Sequence, residues 1–425
     1  MRVLLIGSGG REHALAWGLV QSPKLSNLYI APGNAGTAQL GENVSIGAED
    51  LSALVEFARK ERIDLTVVGP EAPIVAGVRD LFEREHLKIV APTQKASFLE
   101  GSKVAAKAFM HKHGIPTARH GSFDQWEPAV AFARTLSTPL VIKADGLAAG
   151  KGVAIVQTHS EAEQILRDFM IAKKFGAASQ RVVVEEFLVG REFSLFVASD
   201  GNCWKLLGTA QDYKRLRDGD QGPNTGGMGS LSPVPWLTQR MLEEAVQKIV
   251  APTFDALRRE NISYEGILYF GLIWTQDGPY VLEYNVRWGD PETQVLVPRF
   301  DFDLLELYLA IAEGRLERFE TKLKPMSAVC VVLASGGYPE RYEKGLEIEG
   351  LEAFPLQRER SVGTLVFHAG TTLQEGKIVT AGGRVLNVVG LGASLREARV
   401  RAYAAIEKIQ FEGMQYRSDI ALGSI

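Results

Sequence analysis

At 425 residues, 46% hydrophobic and 23% charged, the chain is long enough for several packed cores and too apolar for a disordered polymer. Its net charge of −4, with both signs interspersed, lacks the basic footprint of a nucleic-acid or anionic-membrane binder. Cys203 and Cys330 stand far apart and exclude a disulfide framework or thiolate zinc site; both are expected to be reduced and buried, and with no run of membrane-spanning length the chain reads as cytoplasmic.

The apolar run 3–7 is too short for a signal peptide and reads as a buried strand. Further short strands at 28–31, 65–69 and 87–91, with helices at 14–20 and 51–59, give an α/β domain on a parallel sheet over residues 1–102. A helix over 101–119 ends at Ile115-Pro116-Thr117, because proline drives the residue before it to extended backbone. Strands at 140–143, 153–157 and 181–187 with a helix at 161–173 make a small α+β unit within 120–190. Strands at 192–198 and 204–211 lead into 218–229, dense in Gly, Pro, Asn and Asp and expected to be mobile. A helix at 239–260, strands at 266–275 and 279–284, and a helix at 302–313 complete a region spanning 103–320. Charged 317–324 with Pro325 reads as a linker, and strands at 328–334, 364–368 and 384–390 with a helix at 395–409 make a C-terminal α+β domain, 326–425.

Gly7-Ser8-Gly9-Gly10-Arg11-Glu12-His13 lies between a strand and a helix, where backbone N–H groups can cradle a phosphate. Glu12 stands where a dinucleotide fingerprint needs its third glycine, so a phosphate site fits better than NAD; a plain glycine turn is the alternative. Glu71 follows the strand ending at Val68, where open α/β sheets bind ligands. The stretch from Lys143 through Gly146, Gly150 and Lys151 to Val153 fails as a Walker A loop, having the wrong spacing and a strand after it. It reads as a glycine-rich hairpin folding over phosphates, with Lys143 and Lys151 supplying charge. Glu185-Glu186-Phe187-Leu188 is a strand running into a turn that can pair with an adenine edge, with Glu192 in reach of ribose hydroxyls.

The most informative stretch runs from Glu283 to Glu292. Alternation puts Glu283, Asn285 and Arg287 on one strand face. A carboxylate and an amide oxygen aimed together suit a hard cation shared with nucleotide phosphates, and Arg287 suits a carboxylate or a transferring phosphoryl group. A structural Glu283–Arg287 salt bridge is the competing reading.

Together with Ala31-Pro32-Gly33-Asn34-Ala35-Gly36-Thr37, Gly69-Pro70-Glu71-Ala72-Pro73, Gly222-Pro223-Asn224-Thr225-Gly226-Gly227-Met228-Gly229 and His368-Ala369-Gly370-Thr371, these motifs cover essentially the whole chain. In that order they resemble the ATP-grasp superfamily and, far more closely, the phosphoribosylamine–glycine ligase family. The resemblance implies an N-terminal substrate domain, an ATP-grasp fold with a small lid domain, and a C-terminal α+β domain. It implies ligation of glycine to 5-phosphoribosylamine through a glycyl phosphate, with ATP as co-substrate, Mg2+ or Mn2+ as cofactor, no nucleic-acid or membrane partner, and a monomer or weak dimer. By matching motifs, Glu283 and Asn285 hold the metal, while Lys107, Lys143, Gly150, Lys151, Glu185, Glu186, Phe187, Leu188 and Glu192 hold ATP. Arg287, Asp290 and Asp212 surround glycine and the acyl phosphate. Gly9, Gly10, Arg11, Asn34, Glu71, Asn224, Thr225, Gly226 and Glu292 are the expected substrate contacts, and the small unit around Gly150 and the 222–229 loop are the expected lids. Tyr213, Val286 and Trp288 depart from the family pattern, which bears on local packing.

Overall fold

The computed structural model describes residues 1–147, 152–355 and 363–424. Strands β1 (Arg2–Gly7), β2 (Asn27–Pro32), β3 (Glu42–Asn43), β4 (Leu65–Val68) and β5 (Ile89–Val90) run parallel in the order β3-β2-β1-β4-β5. Val3, Leu4, Leu5 and Ile6 are all fully buried, because β1 is covered on both faces; hence its continuous rather than alternating apolar pattern. Strand order reverses around β1, so the carboxyl ends of β1, β2 and β4 open onto a shared crevice, the place where such sheets take ligands. Backbone hydrogen bonds from Gly33 to Gly7 and from Gly69 to Ile6 draw the three turns together.

The small unit is an antiparallel sheet of β6 (His120–Phe123), β7 (Leu140–Ala144), β8 (Val153–Val156) and β9 (Val182–Glu186), ordered β6-β9-β7-β8. Leu140, Ile142, Val182 and Val184 pack on Ala129, Val130, Ala162 and Leu166 of two covering helices. One of these, Trp126–Ala133, has no counterpart among the sequence expectations. The other, His159–Leu166, is shorter than 161–173 suggested and passes into a π turn, Arg167–Ile171.

The remaining strands are β10 (Arg191–Asp200), β11 (Trp204–Asp212), β12 (Arg215–Arg217), β13 (Gln221–Asn224), β14 (Gly229–Ser232), β15 (Glu265–Thr275), β16 (Gly278–Asn285), β17 (Ser327–Ala334), β18 (Gly363–His368), β19 (Thr371–Gln374), β20 (Lys377–Thr380) and β21 (Arg384–Gly392). Eight of them form one sheet, β16-β15-β10-β11-β14-β17-β21-β18. Because β14 pairs with β11 on one side and β17 on the other, the sheet runs unbroken between the segments flanking 317–325, the stretch whose charge suggests a linker. No helix among the described residues is long and apolar enough to cross a membrane.

Two expectations need correction. Residues 218–229 do not form an open loop: β12 and β13 pair as a hairpin whose tip is strapped to the C-terminal segment. The Gly219 N–H donates to Asp419 Oδ2 (2.8 Å), the Ser418 N–H to Asp218 Oδ1 (2.8 Å), and Arg417 Nη1 to Asp220 Oδ1 (2.7 Å). Cys203 is only half-buried, whereas Cys330 is buried; both are free thiols.

The departures at Tyr213, Val286 and Trp288 are absorbed by packing. The Trp288 ring is buried against Phe196 (centroids 5.6 Å apart, stacked), and its Nε1 donates to Tyr308 Oη at 2.9 Å. Val286 is fully enclosed. Tyr213 carries the Arg417 guanidinium 5.1 Å from its ring centroid, and its hydroxyl accepts from the Ala421 N–H.

Candidate active site

Edge strand β16 places Glu283 and Asn285 opposite Gly271 and Tyr269 of β15. A Cβ at Gly271 would lie 3.0 Å from Glu283 Cγ, so a side chain there would press on Glu283. Burial raises the Glu283 carboxyl, but Lys214, Lys143, Lys103 and Arg287 outweigh it and hold it below the usual range. Glu283 is therefore ionised, a hard oxygen donor facing cations. Arg287 does not turn to it: its Nε donates to Glu71 Oε2 (3.1 Å), its Nη2 to Glu100 Oε1 (2.8 Å) and to Asn285 Oδ1 (3.2 Å), and its Nη1 to the Trp288 carbonyl (3.0 Å). The competing Glu283–Arg287 reading thus gives way to a carboxylate pair from the N-terminal third.

Glu100 is a residue that sequence reasoning missed. It sits in the single-turn helix Phe98–Gly101, and its other oxygen accepts the Val286 N–H at 2.7 Å. Burial pushes its carboxyl up to about 7 against the pull of Arg287. Lys103 and Lys214 were missed as well. Lys103 reaches the Gly146 carbonyl at 3.3 Å. Lys214 lies 3.1 Å from Asp212 Oδ2 and 3.7 Å from Glu192 Oε2, which joins two expected site residues through one cation. No motif marks these three; only their closeness in sequence to Gly101 or Asp212 would have singled them out.

On the small-unit side, Lys107 and Lys143 both pair with Glu185, which is buried between them. Burial raises Glu185, yet the two ammonium groups overcome it and hold its carboxyl at about 2. Burial lowers Lys107 to about 8 despite Glu185. Lys107 Nζ also donates to Thr117 Oγ1 (2.7 Å) and Lys143 Nζ to the Leu282 carbonyl (3.1 Å), tying the small sheet to β16. Glu186 Oε1 accepts the Arg119 N–H, and Phe187 and Leu188 follow with Phe187 partly exposed. Gly150 and Lys151 lie outside the described residues.

At the crevice of the parallel sheet, Glu12 explains its own departure from the fingerprint. Gly7, at φ +126°, leaves room for the Glu12 side chain, whose Oε2 accepts the Gly9 N–H at 2.6 Å. That N–H is consequently not open to a phosphate as the turn suggested. Arg11 is buried: its Nε donates to Glu12 Oε1 (2.5 Å) and its Nη1 to the Trp288 carbonyl (3.1 Å), while its backbone N–H donates to Asp290 Oδ2 (3.1 Å). Gly10 approaches so closely that a Cβ would lie 2.7 Å from Gln294 Nε2. Asp290 accepts from Gln294 Nε2 (2.9 Å); burial raises its carboxyl, and Arg384 and Arg11 more than reverse this. Burial and the charge of Asp212 push Glu292 upward, and Ser194 donates to its Oε1 at 3.2 Å.

Asn34 holds structure. Its Nδ2 donates to the Ser8 and His368 carbonyls (2.8 and 3.0 Å), and its Oδ1 accepts the Gly36 and Thr37 N–H groups (2.8 and 3.0 Å), so its amide is already engaged. The 224–227 turn, part of the 222–229 stretch expected as a lid, is tied by hydrogen bonds to its surroundings. Arg384 Nη1 donates to the Gly226 and Asp290 carbonyls (2.6 and 2.7 Å), Tyr338 Oη accepts the Gly226 N–H (3.0 Å), and Thr225 Oγ1 donates to the Lys214 carbonyl (2.8 Å). Arg384, at the start of β21, is a further residue the sequence did not single out.

Along its whole length the chain is similar to known proteins. Family models described as phosphoribosylglycinamide synthetase match in three parts: the N domain over residues 1–100, the ATP-grasp (A) domain over 101–293 and the C domain over 328–423. The chain is 48% identical over 423 residues to the phosphoribosylamine–glycine ligase of Caldanaerobacter subterraneus subsp. tengcongensis, covering 100% of both chains. It is 49% identical to that of Vibrio cholerae, covering 100% of this chain and 99% of the other. The crystal structure of phosphoribosylamine–glycine ligase from Thermotoga maritima superposes with a TM-score of 0.85 at 38% identity, covering 99% of this chain and 100% of that one. The biotin carboxylase domain of Hydrogenobacter thermophilus 2-oxoglutarate carboxylase, solved with MgADP and bicarbonate, shares the fold with a TM-score of 0.74 at 17% identity, over 98% of this chain and 91% of that one.

Proposed function

The chain belongs to the phosphoribosylglycinamide synthetase family, and on that premise we propose how its own residues join glycine to 5-phosphoribosylamine. The reaction is an ATP-dependent ligation of de novo purine biosynthesis. A glycine carboxylate oxygen attacks the γ-phosphorus of ATP as the bond to ADP breaks. The amine of phosphoribosylamine then attacks the acyl carbon, the acyl–phosphate bond breaks, and glycinamide ribonucleotide and phosphate leave. No covalent enzyme intermediate is required, so catalysis rests on positioning and electrostatics.

Lys107 and Lys143, oriented by Glu185, are assigned to the ATP phosphates; the strand end from Glu186 to Leu188, with Glu192, is assigned to the nucleoside. Glu283 and Asn285 are oxygen donors suited to Mg2+ or Mn2+. Among the described residues no group of three or more acidic, histidine or cysteine side chains is placed to hold a metal ion. When bound, Mg2+ or Mn2+ supplies neutralisation of phosphate charge. Arg287, held by Glu100, binds the glycine carboxylate and then the acyl phosphate. Asp212 and Lys214, beside Glu292, line the same centre. Arg11, Glu71 and the 224–226 turn face the phosphoribosyl substrate, with Gly9, Gly10 and Asn34 shaping the turns behind them. We assign 1–102 to that substrate, 103–320 to nucleotide and acyl transfer, and 326–425 to closing the site through Arg384 and His368.

The observation that carries this reading is that Arg287, next to the Glu283–Asn285 face, reaches Glu71 at the crevice of the parallel sheet. One guanidinium therefore stands between the two substrate regions. A coupled ADP-release assay tests it: release must require glycine and phosphoribosylamine together, and release with bicarbonate or D-alanine instead would overturn it. Arg287→Ala should abolish ligation while ATP binding stays near wild type.

A further inference from the structure

Two arginines converge on one backbone carbonyl. Arg11 Nη1 and Arg287 Nη1 donate to the Trp288 oxygen at 3.1 and 3.0 Å. Both side chains are largely enclosed and already paired with carboxylates, Arg11 with Glu12 and Arg287 with Glu71 and Glu100, as guanidinium groups that bind carboxylates and phosphates are. Among these carboxylates Glu71 is held by Arg287, and its charge is stabilised by both arginines.

The two acidic partners of Arg287 are not equivalent. Glu100 has 7% of its side chain exposed, and its second oxygen is fixed by the Val286 N–H at 2.7 Å, so it is anchored at both ends. Glu71 has 30% exposed, touches Arg287 through one oxygen at 3.1 Å, and rises from the first turn of the five-residue helix Glu71–Val75 at the crevice. A carboxylate arriving from solvent meets Glu71 first and can replace it without disturbing Glu100.

We propose that Glu71 is an exchangeable internal anion: it occupies Arg287 until the substrate carboxylate displaces it, and the freed Glu71 then accepts an N–H of the incoming amine. The inference rests on the ligase reading above and deepens it, because it makes binding of the carboxylate substrate the event that completes the amine site. Arg11, which already acts on Glu71 electrostatically, is the cation that keeps the displaced carboxylate ionised within the crevice. Glu71 and Glu100 therefore act on glycine in opposite directions, Glu71 competing with it and Glu100 aiming the guanidinium at it.

The test is steady-state kinetics of wild type, Glu71→Gln and Glu100→Gln with glycine and phosphoribosylamine varied separately. Glu71→Gln should lower the KM for glycine by about two- to five-fold, the range expected for removing one partly exposed ionic competitor, while raising the KM for phosphoribosylamine. Glu100→Gln should raise the KM for glycine. A folded Glu71→Gln enzyme whose glycine KM is unchanged or higher overturns the proposal. A wild type without glycine-dependent turnover overturns the ligase reading instead, so the two failures are distinct. Should Glu71→Gln not fold, Glu71→Asp decides: the shortened carboxylate, drawn back from Arg287, should lower the KM for glycine, and an unchanged or higher value in the folded variant refutes the exchange.

Discussion

Glu185→Gln isolates the buried charge cluster beneath the ATP region. Glu185 is 2% exposed and faces two ammonium groups, so the substitution keeps the shape and removes a negative charge that pairs with both. Its carboxyl lies at about 2 instead of 4.5, which corresponds to about 3 kcal/mol of interaction favouring the folded charged form. Breaking a buried ion pair by deleting one partner costs roughly 3–5 kcal/mol, the same size. Because the folded value is depressed, this stability is fully present above about pH 4.5 and is lost as pH falls toward about 2. The variant should therefore melt well below wild type at pH 7, and the difference should narrow progressively between pH 4.5 and the acid limit. It should also lose ATP affinity at pH 8 and recover some of it on acidification, because Lys107, already at about 8 beside Glu185, falls further without its counter-ion. Scanning calorimetry across pH and ATP titration read both effects. A variant with an unchanged melting temperature and unchanged ATP affinity would refute the claim that Glu185 holds the two lysines.

Glu283→Gln should raise the magnesium concentration needed for half-maximal turnover while leaving the fold intact, as read by a magnesium titration beside a melt. His368 is buried and lowered by desolvation to about 4, so the fold holds it neutral; the resulting stability is present above about 6.5 and is lost as pH falls toward 4. Urea melts at pH 7 and pH 5 should show that slope in wild type and a flatter one in His368→Asn. Trp288→Ala removes a fully buried ring stacked on Phe196 and should cost about 3–5 kcal/mol by chemical denaturation.

What the sequence disclosed was what its local periodicity encodes. Val3 to Ile6 had to be a buried strand, and the alternation of Glu283, Asn285 and Arg287 put three chemistries on one face before any partner was known. The partners of Arg287 were not legible. Glu71 and Glu100 lie roughly two hundred positions earlier, and only the packing of the helix Phe98–Gly101 against β16 brings Glu100 to the guanidinium. The 218–229 stretch shows the opposite error: its composition is that of a loop, but Arg417, Ser418 and Asp419 reach across 200 positions to tie its tip. Glu12 was read as a missing glycine, although three positions after Gly9 is also where a glutamate folds back to cap a helix.

The unbroken eight-stranded sheet has a consequence for how the chain can be divided. A chain shortened before residue 327 would keep every residue assigned to ATP, yet it would leave β14 with unpaired N–H and C=O groups along one side and bare the apolar face of Leu231. Such a bare edge recruits other strands. The nucleotide-handling half is therefore not a free-standing module that could be excised intact: one flank of its sheet is covered by β17, which is made after it, so the nascent chain must carry that open flank until β17 docks.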